Sequence, residues 1–232
     1  MTMKFATIPT YELTLPSTKE IIKYRPYVVK EEKLLLMAMQ SEDDREMQQA
    51  LGDIVSACTF GKVDITTNPM FDIQYVFLKL RCRSVGELSE VLLTCGACDG
   101  QQPHVVQLDK IEVQSLQEHN GIIDINGVEV HMRYPTVDTL IKIKESKDAD
   151  TIFSAVVDCV AKVVTEEEVH LNTPDTHNDF LEFIENLTPD QYIKIQNFFT
   201  FMPSVSHTIN FTCEKCEKEN AIFLDGLYNF FL

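Results

Sequence analysis

Two short steps decide the fold: Thr94-Cys95-Gly96-Ala97-Cys98 and Thr212-Cys213-Glu214-Lys215-Cys216. Each step follows an apolar, strand-like run and holds two cysteines with two residues between them, so both sulfurs of a step can face one point. Two such knuckles supply four thiolates, which is the ligand set of a closed tetrahedral zinc site. The predicted ligands of one shared structural zinc ion are Cys95, Cys98, Cys213 and Cys216.

The spacing of the two knuckles indicates what such a metal does to the chain. Cys98 and Cys213 are 115 positions apart, so a shared ion holds two distant parts of the sequence together. The second knuckle has the strand–turn–strand pattern of a zinc ribbon, with Thr208–Phe211 before it and Ala221–Leu224 after it. We therefore predict a zinc-ribbon-like element built from both knuckles.

Other uses of the cysteines stay open at this point. A single Cys-x-x-Cys step can be a redox or disulfide pair, or simply two buried thiols. Four thiolates also suit iron. A catalytic zinc is disfavoured because four protein ligands leave no position for water. The remaining cysteines lie in helical apolar surroundings and are expected to be buried thiols, which fits a reducing cytoplasm; they are Cys58, Cys82 and Cys159.

Charge and hydrophobicity narrow the classes of partner. The chain of 232 residues carries 36 acidic and 20 basic residues, a formal net charge of −16. Such a chain repels phosphate backbones, and the basic patch Lys79, Arg81 and Arg83 is thin, so nucleic acid is disfavoured as a partner. The longest apolar runs are too short to cross a bilayer, so we expect no membrane partner. The acidic surface favours docking on other proteins.

The N-terminal part of the chain has strand signals followed by helix signals. Tyr11–Leu15 and Ile21–Tyr24 flank the turn residues Pro16-Ser17-Thr18 and predict a β-hairpin. A helix is expected from Val29 or Lys30 to Gln40, and helical spacing predicts two more, at 41–58 and 71–83. The inward-facing candidates of the first helix are Leu34, Leu35, Met37 and Ala38.

The part of the chain after the first knuckle mixes both patterns. Val105–Val113 alternates as a strand. Ile122–Asp124 and Val128–Met132 flank Asn126-Gly127, a strong signal for a type I′ hairpin turn. Beyond Pro135 the spacing becomes helical, and the predicted helices are 137–144, 149–164, 176–186 and 189–201.

These patterns predict an α+β fold with an N-terminal hairpin, a helical body and the zinc-ribbon-like element. No linker or repeat interrupts the chain, so we predict one compact unit over residues 1–232. Its expected parts are the hairpin and helices (1–94), the first knuckle and strands (95–135), a helical segment (136–203), and the second knuckle with an apolar tail (204–232). The tail can dock on its own domain or bind a partner.

No arrangement of residues typical of an enzyme is present in the sequence. The six histidines are scattered, without a His-Glu-x-x-His step. A glycine-rich phosphate loop, a Gly-x-Ser-x-Gly elbow and a paired-carboxylate setting are also missing. We therefore expect a non-enzymatic protein with no small-molecule substrate and no catalytic residues.

The chain also contains the stretch Tyr24-Arg25-Pro26-Tyr27-Val28-Val29-Lys30-Glu31-Glu32-Lys33-Leu34-Leu35-Leu36-Met37-Ala38. Together with the late ribbon and the closing Gly226–Phe231, it resembles the T4-type bacteriophage baseplate hub (hub-assembly) protein family. In this stretch Glu31, Glu32 and Lys33 can mark a contact face, but acidic residues at the positive end of a helix explain them equally well.

The resemblance implies a protein that helps to build the central hub of the tail baseplate. It implies either a hub subunit in the virion or an assembly chaperone in the host cytoplasm, with other hub proteins or the tape-measure protein as partners. Two rival classes remain. A zinc-ribbon nucleic-acid-binding or transcription regulator needs a basic face, and a thiol oxidoreductase needs a cysteine of low pKa in a thioredoxin-like setting.

Overall fold

Short strands and helices alternate along the described residues. The computed structural model describes residues 8–41, 43–114, 119–137, 139–140, 142, 146 and 148–225. The elements run in chain order as β1 (Tyr11–Thr14), β2 (Ile21–Tyr24), α1 (Val29–Ser41), α2 (Asp44–Cys58), α3 (Met70–Ser84), β3 (Leu88–Thr94), β4 (Gln101–Gln107), a 3-10 turn (Leu108–Lys110), β5 (Val113–Gln114), β6 (Ile122–Ile125), β7 (Val128–Met132), α4 (Ala149–Asp158), β8 (Val160–Val164), β9 (Val169–Leu171), α5 (His177–Glu185), α6 (Pro189–Thr200), β10 (Ser204–Thr212) and β11 (Glu219–Asp225).

The mixture of helices and sheets confirms the α+β class. Contacts group the chain into two compact units: Met1–Gln114 with Ser204–Leu232, and Ser115–Pro203. We call them the knuckle unit and the inserted unit. The prediction of a single compact unit over residues 1–232 made no such division, and it stays a prediction that the two units fold as one.

The knuckle unit combines a hairpin, three helices and two β-ribbons. β1 pairs antiparallel with β2, β3 with β4, and β10 with both β11 and β5. One apolar core joins these elements, with Val76 and Phe77 of α3 packed in the same cluster as Leu93 of β3 and Ile209 of β10. Both ribbons that carry the knuckles are therefore anchored on one core.

A buried carboxylate fastens the first hairpin to the helices. Asp72, in the first turn of α3, accepts hydrogen bonds from the backbone N–H of Ser17 at 3.0 Å and from the Ser17 hydroxyl. Burial raises the pKa of Asp72, while the bonds from Ser17 lower it in part. The turn between β1 and β2 is thus held by a satisfied polar group, as a buried carboxyl requires.

The exposed face of α1 corrects one prediction. Leu34 and Met37 were expected to face inward, yet both are exposed, and only Glu31 and Ala38 are buried in this helix. Helical spacing alone could not choose the side, because Leu34, Leu36, Met37 and Met39 surround the whole helix. The side that meets α2 is chosen by tertiary packing.

The strand after the first knuckle is also shifted. The predicted strand Val105–Val113 is replaced by β4, which starts at Gln101 and ends at Gln107. All seven residues of β4 pair with β3, from Leu88 opposite Gln107 to Thr94 opposite Gln101. The register is set by the knuckle that joins the two strands, so β4 begins directly after it.

The inserted unit packs helices on an antiparallel sheet of order β6-β7-β8-β9. The predicted Asn126-Gly127 turn is confirmed, since both residues have positive φ, 56° and 88°, between paired strands. Its core gathers Val130, Val157 and Ile195 with other apolar residues of the same unit. The predicted helix 149–164 is wrong in its second half: the helix ends at Asp158, and the β-branched run at 160–164 pairs with β7 instead.

Two further expectations concern the C-terminal tail and membrane-spanning helices. The apolar tail at 226–232, expected to dock on its own domain or on a partner, lies outside the described residues. Among the helices of the described residues, none is both long and apolar enough to cross a membrane.

Candidate metal centre

The first knuckle is a tight turn between β3 and β4. The backbone N–H of Cys95 donates to the carbonyl of Gly100 at 2.9 Å, and the N–H of Asp99 donates to the carbonyl of Cys95 at 3.0 Å. Asp99 has φ 53°, in the left-handed region. The N–H of Ala97 points at the Sγ of Cys95 at 3.4 Å. The backbone thus curls around the sulfur with an N–H turned toward it.

The second knuckle repeats this geometry between β10 and β11. The N–H of Cys213 donates to the carbonyl of Lys218 at 2.9 Å, and the N–H of Glu217 donates to the carbonyl of Cys213 at 2.9 Å. Glu217 has φ 56°, at the position equivalent to Asp99. Two segments with different sequences therefore adopt one backbone conformation, fixed by the Cys-x-x-Cys spacing.

The four sulfurs converge on one point. The Sγ atoms of Cys95 and Cys216 lie 3.7 Å apart, and those of Cys98 and Cys213 also lie 3.7 Å apart. All four Sγ atoms lie within 4.8 Å of one another. A regular tetrahedron with edges of this shorter length has a distance of about 2.3 Å from centre to corner, which matches a zinc–thiolate bond. The arrangement fits a metal ion bound tetrahedrally by four cysteine thiolates.

Bonds between the knuckles hold this arrangement without the help of the cysteines. The N–H of Gly96 donates to Oδ1 of Asn220 at 3.2 Å. Gln102 bridges to the other ribbon twice: its Nε2 donates to the carbonyl of Thr212 at 3.3 Å, and its Oε1 accepts from the N–H of Glu214 at 2.9 Å. The chain therefore contributes its own alignment of the two turns.

The surroundings shift the pKa values of Cys95 and Cys216 in opposite directions. The N–H of Ala97 is the main cause that lowers the pKa of Cys95 to about 6, since it stabilises the thiolate. The N–H of Lys218 lowers the pKa of Cys216, but the neighbouring thiols outweigh it and raise that pKa to about 12. Crowded thiols that resist losing their last proton are what a divalent cation relieves when it binds.

A disulfide does not explain the cluster. The sulfur pairs Cys95–Cys216 and Cys98–Cys213 join different knuckles and lie 3.7 Å apart, whereas a disulfide bond is about 2.05 Å long. Cys95 and Cys213 are buried, Cys98 is half-buried and Cys216 is exposed, so the cluster is partly open to solvent. The donor set therefore fits a structural ion better than a covalent pair.

Gly100 lies beside the cluster, where little space is left for a side chain. A Cβ at this position would lie 3.2 Å from Sγ of Cys98 and 3.3 Å from Cδ of Lys215. We expect Gly100→Ala to push the knuckle apart, weakening metal binding and lowering the free energy of unfolding by about 1 kcal/mol. Gly96→Ala is the matched control, because its Cβ would meet only Oδ1 of Asn220, at 3.9 Å. Chemical denaturation and a metal competition titration measure both, and equal behaviour of the two variants would contradict the expectation.

The other three cysteines are buried, as the sequence predicted. Burial raises the pKa of Cys58 to about 11 and that of Cys159 to about 12, and it also raises the pKa of Cys82. Thiols of such high pKa are poor nucleophiles and poor metal ligands. They act as small apolar side chains.

One contact that the sequence gave no sign of is a Ser–His–Asp series in the inserted unit. Oγ of Ser154 lies 3.3 Å from Nε2 of His177, whose Nδ1 lies 3.7 Å from Oδ1 of Asp158. The second distance is too long for a hydrogen bond. Ser154 sits inside α4, where backbone N–H groups bond within the helix and cannot hold an oxyanion. The series is better explained as a packing contact between α4 and α5.

The fold and the site define an α+β protein in which a four-cysteine cluster joins two β-ribbons. Residues 8–232 match the family model described as T4 bacteriophage base plate protein. The chain belongs to this family, so it is a structural protein of the phage baseplate, and the resemblance noted in the sequence is confirmed at that level. Searches of curated proteins and of solved structures gave no match.

Proposed function

We propose that this protein helps to build the central hub of the baseplate, without catalysis, and that a zinc ion clamps its two ribbons. The observation that carries the proposal is the convergence of four sulfurs within 4.8 Å, from knuckles far apart in the sequence, in a chain of the baseplate family. The proposed ligands are Cys95, Cys98, Cys213 and Cys216.

The zinc supplies a cross-link and no reaction chemistry, because all four positions are taken by thiolates. The chain itself positions the ligands: Gln102 and Asn220 join the two ribbons, and the N–H of Ala97 stabilises one thiolate. Cross-linking β3–β4 to β10–β11 ties residues 204–225 to the core built by residues 8–114. The clamp therefore fixes the surface of the knuckle unit.

The surface of α1 supports a role in docking on proteins. Val29, Leu36 and Met37 are each more than half exposed, and all three lie in the part of α1 that belongs to the stretch 24–38, which carries the family resemblance. Apolar side chains gathered on one exposed helix are typical of surfaces that another protein covers. We propose hub or tape-measure proteins as the partners that cover it.

The basic patch of Lys79, Arg81 and Arg83 disfavours the alternative of a nucleic-acid-binding zinc ribbon. All three side chains already form hydrogen bonds or an ion pair with other groups of this protein. Nζ of Lys79 donates to two backbone carbonyls, at 2.7 and 3.2 Å. Nη1 of Arg81 donates to the carbonyl of Gly86 at 2.6 Å, and Arg83 pairs with Glu87 at 3.2 Å. With a net charge of −16 around them, these groups offer little to a phosphate backbone.

Mass spectrometry of purified phage particles tests the proposal, together with metal analysis of the purified protein. We expect one zinc per chain and a tail that fails to assemble when the gene is disrupted. Stoichiometric presence in the particle would identify a hub subunit, while presence in the infected-cell lysate alone would identify an assembly chaperone. Normal tails in the absence of the protein, or purified protein without metal, would contradict the proposal.

A further inference from the structure

A groove runs along one face of α5 in the inserted unit. Its first part has a volume of about 530 Å³ and lies between α5 and the strands β8 and β9. Its second part, of about 610 Å³, lies between α5, the β6–β7 turn and the start of α6. Asp179 and Phe183 line both parts, so the two adjoin each other along α5. We call this feature the α5 groove.

The length of the groove follows the helix. Thr176, Asp179, Phe183 and Asn186 all line it, and their spacing of three or four residues puts them on one helix face. At 1.5 Å per residue this face is about 15 Å long. That length accommodates about three turns of a second helix.

The groove has an apolar floor that the inserted unit leaves uncovered. Val169 and Leu171 of the edge strand β9 line it, and their exposed fractions are 58% and 59%. Phe183 of α5 lies half-buried opposite them. Large apolar side chains gathered in an exposed cleft are typical of binding grooves.

The rim of the groove is acidic. Asp179 and Glu182 line it, both exposed, and among the described side chains neither carboxylate pairs with a lysine, an arginine or a histidine. The whole inserted unit has 16 acidic and 6 basic residues in its sequence. An occupant of this groove gains from apolar contact with the floor and from positive charge at the rim.

We propose that the α5 groove binds a basic amphipathic helix of another protein, with apolar residues on one face and lysine or arginine beside them. Helix-in-groove binding uses apolar anchors at i, i+3, i+4 and i+7, which the length of the groove can take. A second copy of this chain is a poor occupant, since it carries the same net charge of −16. The contact lies in the inserted unit and does not depend on the four cysteines.

The test uses full-length, metal-loaded protein and a fluorescent synthetic peptide of 15 residues. The peptide has leucine at i, i+3, i+4 and i+7 and lysine at the flanking positions; a second peptide has glutamate in place of lysine. We expect the lysine peptide to bind at least 10-fold more tightly than the glutamate peptide, with affinity that falls as salt rises. Leu171→Lys should weaken binding about 10-fold or more. Ile193→Lys is the matched control, because Ile193 is exposed by 48% in the same unit and does not line the groove.

The acidic rim has its own control on the same helix. The double change Asp179→Lys with Glu182→Lys should abolish most of the binding and its salt dependence, whereas Glu185→Lys, which does not line the groove, should change affinity less than 3-fold. Equal binding by the Leu171→Lys and Ile193→Lys proteins would overturn the proposal, because it would show attraction to the acidic surface in general. A dimer in sedimentation that Leu171→Lys dissociates would overturn it too, in favour of a second copy. Neither result would bear on the zinc clamp, which is measured by metal content.

Discussion

Replacing Cys213 by serine is expected to abolish zinc binding and to unfold or strongly loosen the knuckle unit. Cys213 is buried beside Cys98, and no other described cysteine can take its place in the cluster. In small zinc domains the apparent free energy of metal binding is about 10–16 kcal/mol and contributes directly to folding. That exceeds the total stability of many domains, about 5–15 kcal/mol. We expect the midpoint of thermal unfolding to fall by more than about 15 °C, or the protein to become insoluble.

Two measurements check this result, namely elemental analysis of the purified protein and calorimetry. Cys82→Ser is the matched control, because Cys82 is a buried thiol of the same unit outside the cluster. It should cost about 1–3 kcal/mol, by burying a hydroxyl, and keep the metal. Chelation of the wild-type protein should reproduce the loss of stability and be reversed by added zinc. An unchanged unfolding temperature of the Cys213→Ser protein would show that a metal clamp does not stabilise this fold.

Glu31→Ala is expected to have the second-largest effect on stability. Oε1 of Glu31 lies 3.0 Å from Nη2 of Arg25 and 3.3 Å from Nζ of Lys30, and Oε2 accepts from the N–H of Val28 at 2.9 Å. The last bond satisfies a free N–H at the start of α1, where a glutamate three residues into a helix commonly reaches back. Glu31 is buried and Arg25 nearly so, with 15% of its side chain exposed.

Removing Glu31 leaves the mostly buried Arg25 guanidinium without this carboxylate, while its bond to the carbonyl of Pro26 at 3.0 Å stays in place. Breaking one side of such a pair costs about 3–5 kcal/mol, because the remaining charge stays desolvated. Chemical denaturation of Glu31→Ala at neutral pH measures this loss. Glu32→Ala is the control from the same turn, since Glu32 is exposed, and it should change the free energy of unfolding by less than about 0.5 kcal/mol. Similar losses in the two variants would show that Glu31 acts through helix charge alone.

The same residue makes the stability depend on pH in a defined direction. Burial raises the pKa of Glu31, but the bonds from Arg25, from the N–H of Val28 and from Lys30 outweigh it, and the folded pKa lies below the ordinary value of a glutamate. A lowered folded pKa means that this contribution is complete above the unfolded pKa and is lost as pH falls through the folded pKa. The difference between wild type and Glu31→Ala should therefore be largest near neutral pH and shrink under acid conditions, which denaturation at several pH values can follow.

Local chemistry was enough to predict several parts of this protein. The two Cys-x-x-Cys steps, the Asn126-Gly127 turn and the start of α6 at Pro189 all depend on residues within a few positions of each other. In these cases the backbone conformation is determined by short-range geometry, so it can be predicted from the sequence alone. The left-handed residues of the knuckles, Asp99 and Glu217, were missed because neither is a glycine.

Other parts depended on partners that the sequence does not name. The apolar run at 160–164 continued a helical pattern, and became a strand because β7 offered a free edge. Of the inward candidates of α1, Leu34 and Met37 were wrong because apolar residues lie all round that helix, and only packing on α2 selects a side. The buried role of Glu31 likewise required Arg25 to be folded back on it.

The sequence by itself therefore determined that four thiolates are available in two preformed turns, that the surface is acidic, and that the fold mixes helices with strands. Only the tertiary structure decided that the two turns meet within 4.8 Å, and that α5 and four strands enclose an apolar groove with an acidic rim. The physical reason is the range of the interactions. Turn geometry and net charge are fixed by neighbouring residues or by composition, whereas the meeting of distant segments is fixed by the burial of a shared core.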